Sequence, residues 1–120
     1  MNNAKQITWE TYTRAWREAT PEAKAAALEQ SAAASCLYQD PLMVTKGHRE
    51  LIDYMMDFHK QLPGGHFVTT YFLAHHESSV AKWNMVNGSG QIVGDGVSFG
   101  RYDSQGALVA MTGFFEAPAS

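Results

Sequence analysis

The chain has one cysteine, Cys36, among 120 residues. An intramolecular disulfide is therefore excluded, and the count agrees with a reducing compartment. Cys36 stands among alanine, leucine and tyrosine, which reads as a small buried hydrophobe rather than a nucleophile. No apolar run approaches the roughly 20 residues that cross a bilayer. The opening Met1-Asn2-Asn3-Ala4-Lys5-Gln6 lacks the apolar core of a signal peptide. On these grounds the expected location is the cytoplasm, with no membrane partner. Basic charge is sparse, 9 Lys and Arg against 12 Asp and Glu, for a net charge of −3. The cations are scattered, without the cluster that neutralises a phosphate backbone, so no nucleic-acid partner is expected. Also missing are Cys-x-x-Cys, His-Glu-x-x-His and a phosphate-cradling glycine loop. His75 and His76 are adjacent on a predicted strand and should point to opposite faces, while His48 and His59 lie too far apart along one helix to share an ion. Neither a metal nor a cofactor is expected. With no repeat and no linker, residues 1–120 read as a single domain.

What the sequence does contain is one change of character, from helix-like to strand-like. Trp9, Tyr12, Ala15, Trp16 and Ala19 recur three and four apart, an aromatic stripe along a helix predicted over 8–19 with Thr8 as its N-cap. Thr20 caps a second predicted helix that opens on Pro21 and runs through an alanine-rich stretch to 35. Residues 37–40 read as a short strand closed by Pro41. A loop through Thr45-Lys46-Gly47 leads to a third predicted helix over 48–61, with Leu51, Ile52, Met55 and Phe58 at helical spacing and Tyr54 and Met56 widening the face. From residue 66 the pattern is β, with strands predicted over 67–77, 80–86, 91–102 and 107–116. Turns are marked by Asn87-Gly88-Ser89-Gly90 and Asp103-Ser104-Gln105-Gly106. Strands joined by short turns make an antiparallel meander. Helices ahead of a sheet give the α+β class.

Two features of the sheet bear on assembly and on the interior. Ile92 and Tyr102 on one parity, and Val93, Val97 and Phe99 on the other, make a strand apolar on both faces. One face packs on the helices, and a second copy of the sheet is the simplest cover for the other, so a homodimer through the sheet face is expected. Gly94, Gly96 and Gly100 share one parity of that strand, which implies either a strongly curled sheet or room for a ligand.

Several segments taken together resemble the SnoaL-like branch of the nuclear transport factor two-like superfamily. These are Tyr38-Gln39-Asp40-Pro41 ahead of a Gly47-led helix, Pro63-Gly64-Gly65-His66-Phe67, Val80-Ala81-Lys82-Trp83, Gly96-Val97-Ser98-Phe99, and Tyr102-Asp103 to Gly106 followed by Gly113-Phe114-Phe115. The resemblance runs from Trp9 to Phe115. It implies a cystatin-like cone, three helices packed in the concave face of a curved antiparallel sheet and paired through that sheet. The hollow is the active site in ketosteroid isomerase, polyketide cyclases, scytalone dehydratase and limonene epoxide hydrolase, and a binding pocket in other members.

Carried onto this chain, the resemblance places Asp40 where the isomerases keep a catalytic aspartate, as a base moving a proton on a small hydrophobic substrate. The residues themselves leave a second role open, since Asp-Pro starts turns and Asp40 could cap backbone amides. Tyr12 resembles the first-helix tyrosine that donates to a developing enolate, although its spacing is equally that of core packing. Ser98 falls where the isomerases hold a second, protonated acid. That departure weakens a ketosteroid-type reaction, and Asp95, on the opposite parity, should face away. The family pattern also turns Trp16, Met55, Phe58, Trp83, Met85, Met111 and Phe115 toward the hollow, a lining suited to a small apolar molecule. The alternative is a non-catalytic binding module or dimeric scaffold, whose interior is filled by its own side chains.

Overall fold

The computed structural model describes residues 2–116. Helix α1 (Asn2–Arg17) is followed by α2 (Pro21–Ser31), strands β1 (Ala32–Asp40) and β2 (Met43–Lys46), and α3 (Gly47–Gln61). Strands β3 (His66–His75), β4 (Ser78–Val86), β5 (Ile92–Tyr102) and β6 (Leu108–Phe114) complete the chain. The six strands form one sheet in the order β2-β1-β6-β5-β4-β3. The last four make the antiparallel meander, but β1 joins β6 in parallel, so the sheet is mixed. Three helices and a mixed sheet around one core make the α+β, cystatin-like architecture. Register shifts in four of the ladders bend the strands around the helices.

Helix α1 begins well before Thr8. The Thr8 hydroxyl donates back to the Ala4 carbonyl (3.1 Å), as Thr11 does to Ile7 (2.9 Å), so both are interior residues satisfied within the helix rather than caps. Thr20 does cap α2, accepting from the Ala23 amide (3.1 Å) ahead of Pro21. That helix stops at Ser31 rather than 35. Alanine favours helix, yet Ala32 pairs with Leu108 of β6, and sheet pairing outweighs the small local preference. Strand β2, read from the sequence as loop, is the return arm of a hairpin folded at Pro41-Leu42.

Both long hairpin turns are built alike. The Gly90 amide donates to the Asn87 carbonyl and the Gly106 amide to the Asp103 carbonyl, with φ of 83° and 87° at the two glycines. The Asn87 and Asp103 side chains each accept two further backbone amides. At the β3–β4 turn the strand ends at His75, and His76 takes a φ of 50°. The two imidazoles therefore meet, Nδ1 to Nδ1 at 3.0 Å, instead of facing opposite ways. Cys36 is buried and free, and burial raises its thiol pKa.

The core lies between the helices and one sheet face, around Trp9, Leu28, Leu51, Met55, Leu108 and Met111. The strand glycines of β5 admit this packing. A methyl on Gly96 would stand 2.4 Å from the Trp83 ring and 2.6 Å from the Phe114 carbonyl, and one on Gly100 would stand 3.2 Å from the Trp9 ring. The space is taken at Gly96 by the Trp83 indole and at Gly100 by Ser79, Leu108 and Trp9, whereas Gly94 lies against Met85. Among the described residues no helix is long and apolar enough to cross a membrane.

Candidate ligand-binding site

Pro41 ends β1, and the turn it forces leaves Asp40 at the strand's last position. One carboxylate oxygen, Oδ1, accepts the Leu42 amide at 2.8 Å, the turn-capping role open to an Asp before proline. The other, Oδ2, accepts two phenols, Tyr38 at 2.5 Å and Tyr54 at 2.9 Å. Tyr38 reaches it from two residues back on the same face of β1, and Tyr54 from α3, so the carboxylate ties the helix to the strand.

A cavity of about 510 Å³ opens beside this cluster. Helix α1 contributes Trp9, Tyr12 and Trp16, α3 contributes Tyr54 and Phe58, and the sheet contributes Phe67, Trp83, Met85 and Ser98. The rings form a connected wall. Trp16 lies 5.3–5.9 Å from Phe67, Phe58, Tyr38 and Tyr54, with Phe67 in turn 5.0 Å from Trp83 and Trp83 6.2 Å from Phe115. Most of these contacts are edge-on, the arrangement the ring quadrupole favours. At the floor, Ser98 pairs with Gly113 across β5 and β6. A methyl on Gly113 would lie 3.5 Å from Ser98 Oγ, 3.6 Å from Asp40 Cβ and 3.9 Å from the Tyr38 hydroxyl. The absent side chain brings three polar residues around a common point.

The indole N–H groups are turned into the wall. Trp16 Nε1 donates to the Tyr12 hydroxyl (3.0 Å) and Trp83 Nε1 to Ser98 Oγ (2.9 Å). Each of those hydroxyls keeps its own proton to give. The Trp9 Nε1 is buried without a partner among the described residues. Burial raises the Tyr12 phenol well above its ordinary range, with the Asp40 charge adding to it. Burial does the same to Tyr38 and Tyr54, reinforced by their bonds to Asp40 and its charge. All three phenols are thereby held as neutral donors.

Of the residues singled out in the sequence, Asp40, Tyr12, Ser98, Trp16, Phe58, Trp83, Met85 and Phe115 all border the cavity. Met55 and Met111 do not, being fully buried in the core. Asp95 does not simply face away. It is exposed and borders the cavity together with its neighbours Val93 and Gly94, next to a bulge that pairs Met85 with Gly94 but Val86 with Ile92. The sequence reading missed Tyr38 and Tyr54 as partners of Asp40, and Trp9 and Phe67 as wall. Tyr38 was signalled by its i, i+2 spacing to Asp40, whereas nothing local links Tyr54 to it. Among the described residues no group of three or more His, Cys, Asp or Glu is placed to hold a metal ion.

Fold and cavity together define a class, the SnoaL-like or ketosteroid isomerase-like fold with an aromatic interior. Solved structures bear out the fold. A candidate isomerase of the SnoaL-like family from Agrobacterium tumefaciens superposes with a TM-score of 0.87 at 22% identity, covering 96% of this chain and 99% of its own. A SnoaL-like protein of unknown function from Burkholderia thailandensis gives 0.75 at 13% identity, covering 98% of each. A Catenulispora acidiphila protein with a ketosteroid isomerase-like fold, solved in complex with trimethylamine, gives 0.74 at 12% identity over 91% of this chain and 85% of its own. No family model and no curated protein matches the sequence.

Proposed function

We propose that the chain binds a small, largely apolar molecule in this cavity, with Asp40 as a fixed acceptor that shapes the site. The observation that carries the reading is the hydrogen bonding of Asp40. Its carboxylate is engaged by two phenols and an amide, an arrangement that immobilises it at the end of β1. A pocket with aromatic walls and few polar groups suits ligands of drug-like size. The Catenulispora protein was solved in complex with trimethylamine, which supports small-molecule binding by a protein of this architecture.

A second reading, proton transfer by Asp40 on a small hydrophobic substrate with Tyr12 and Ser98 as donors, is favoured by the convergence of Asp40 and Ser98 at Gly113. Substitutions at Gly113 test the cavity that both readings share, and a substitution at Asp40 decides between them. Gly113→Ala fits, since its methyl meets only ordinary contacts. Gly113→Val pushes further into the floor and is expected to weaken binding of a neutral aromatic such as 2-naphthol, read by tryptophan fluorescence. Asp40→Asn is expected to retain at least about a third of that affinity, equivalent to a loss of under about 0.7 kcal/mol. If the unaltered chain turns over a ketone or enone and Asp40→Asn, with binding kept, lowers that turnover by ~100-fold or more, the proton-transfer reading replaces the first.

A further inference from the structure

Among the described residues, the wall of the cavity includes four carboxylates and no lysine, arginine or histidine. Asp40 stands inside, beside Gly113, whereas Asp57, Asp95 and Glu116 are exposed and border the opening. Between them the surface is mostly aromatic, and a ring presents a negative face to whatever lies over it. Four of the cavity's donors are spent within the protein, while the Tyr12 and Ser98 hydroxyls keep a proton each. Tyr38 and Tyr54 give their protons to Asp40, Trp16 gives its N–H to Tyr12, and Trp83 gives its N–H to Ser98. We infer that the cavity takes an organic cation, an ammonium clothed in apolar carbon. This deepens the binding reading above and rests on it.

Positive charge near the cavity does not offset this lining. Lys60 lies 3.6 Å from Asp57 in an exposed pair that water screens, and among the described residues Asp40, Asp95 and Glu116 have no basic side chain within ion-pair distance. Arg14, Arg17 and His66 line a separate surface groove, divided from the cavity by Thr13 and Phe67, which border both. A bare metal ion would ask for several clustered oxygen ligands, a set the described residues do not assemble. An alkylammonium asks for less. Its charge is spread under methyl or methylene groups that desolvate easily and pack on ring faces.

The chain's three tryptophans, Trp9, Trp16 and Trp83, all border the cavity, so their fluorescence reports occupancy directly. The probes are benzyltrimethylammonium, its uncharged carbon isostere neopentylbenzene, and the anion 3-phenylpropionate. The cation is expected to bind at least about 10-fold tighter than the isostere, and the anion weakest. Raising salt should weaken the cation alone. The variant Asp57→Asn/Asp95→Asn/Glu116→Gln, altered only at exposed positions, should bring the cation-to-isostere ratio toward one. Equal or tighter binding of the isostere overturns the cation inference while leaving the ligand cavity standing. Failure of all three probes to change the fluorescence overturns both.

Discussion

Tyr38 and Tyr54 donate to the same oxygen of Asp40 from different elements, at 2.5 and 2.9 Å. Hydrogen bonds to a charged group contribute more than neutral ones, and a buried donor left without its acceptor is costly. Tyr38→Phe removes one donor without opening a cavity, and is expected to lower unfolding free energy by about 1–3 kcal/mol in urea titrations. Tyr54→Phe, at a less buried phenol, should cost less. The double variant should cost other than the sum, because the two share one acceptor. A loss within ~0.5 kcal/mol for both single variants would show that the clamp contributes nothing to stability, as for an ordinary surface change. The site was partly legible at this scale. Asp40 is marked by its proline, and the aromatic stripe of α1 by its spacing. The bond to Tyr54 spans fourteen residues and exists only after α3 folds back on β1. Spacing also gives a face but not a depth, which is why Met55 and Met111 read as lining yet lie fully inside the core.

The helices are joined by one buried cation. Lys24 of α2 is fully buried, and its ammonium donates to the Ala15 carbonyl (3.0 Å) in the last turn of α1 and to His59 Nδ1 (3.3 Å) on α3. His59 in turn donates from Nε2 to the Gly65 carbonyl (3.0 Å) ahead of β3. A cation at a helix C-terminus answers an orphan carbonyl and the helix dipole. Burial nevertheless lowers the Lys24 pKa from 10.5 to about 8, with the Glu18 charge opposing the shift. Between those values the unfolded chain binds more protons than the folded one, so stability rises with pH across that interval. The buried phenols act in the opposite sense. Their raised values, about 12 for Tyr102 against an ordinary 10.0, mean that the unfolded chain ionises first and stability falls beyond that pH. Chemical denaturation at a series of pH values should therefore show stability climbing above pH ~8 and declining past ~10. Lys24→Met should flatten the climb and leave the decline, and an unchanged climb would assign it to another group. None of this was legible in the sequence, where Lys24 is one polar residue in an alanine-rich helix. Element type was legible where periodicity is long, as in α3 and the meander. Boundaries failed where tertiary pairing competes with propensity, at Ala32 and at Met43–Lys46.

At the scale of the molecule, the sheet has an outer face that the helices do not cover. Register aligns Leu73, Val80, Phe99 and Thr112 in one row across β3, β4, β5 and β6, and Tyr71, Lys82, Val97 and Phe114 in the next. Phe99 and Phe114 touch each other at 5.6 Å and remain 48% and 51% exposed. Lys82 leans over the Tyr71 ring, its ammonium 5.5 Å from the ring centre, so even the cation of this face covers an apolar surface. An apolar patch that crosses four strands is more than scattered surface residues, and it favours burial against a like surface. We propose that two copies pair through it, an isologous contact in which the same rows meet. A stable pairing of this kind buries roughly 800 Å² on each partner. Sedimentation equilibrium at micromolar concentration should give twice the mass of the 120-residue chain. Phe99→Glu/Phe114→Glu should give the single mass with unchanged far-ultraviolet circular dichroism, because both rings are already half in water and their loss costs the isolated fold little. The double variant also separates assembly from ligand binding, since neither ring borders the cavity. A wild-type chain that stays at single mass up to ~100 μM would overturn the pairing, because burying this much apolar surface should then already favour association.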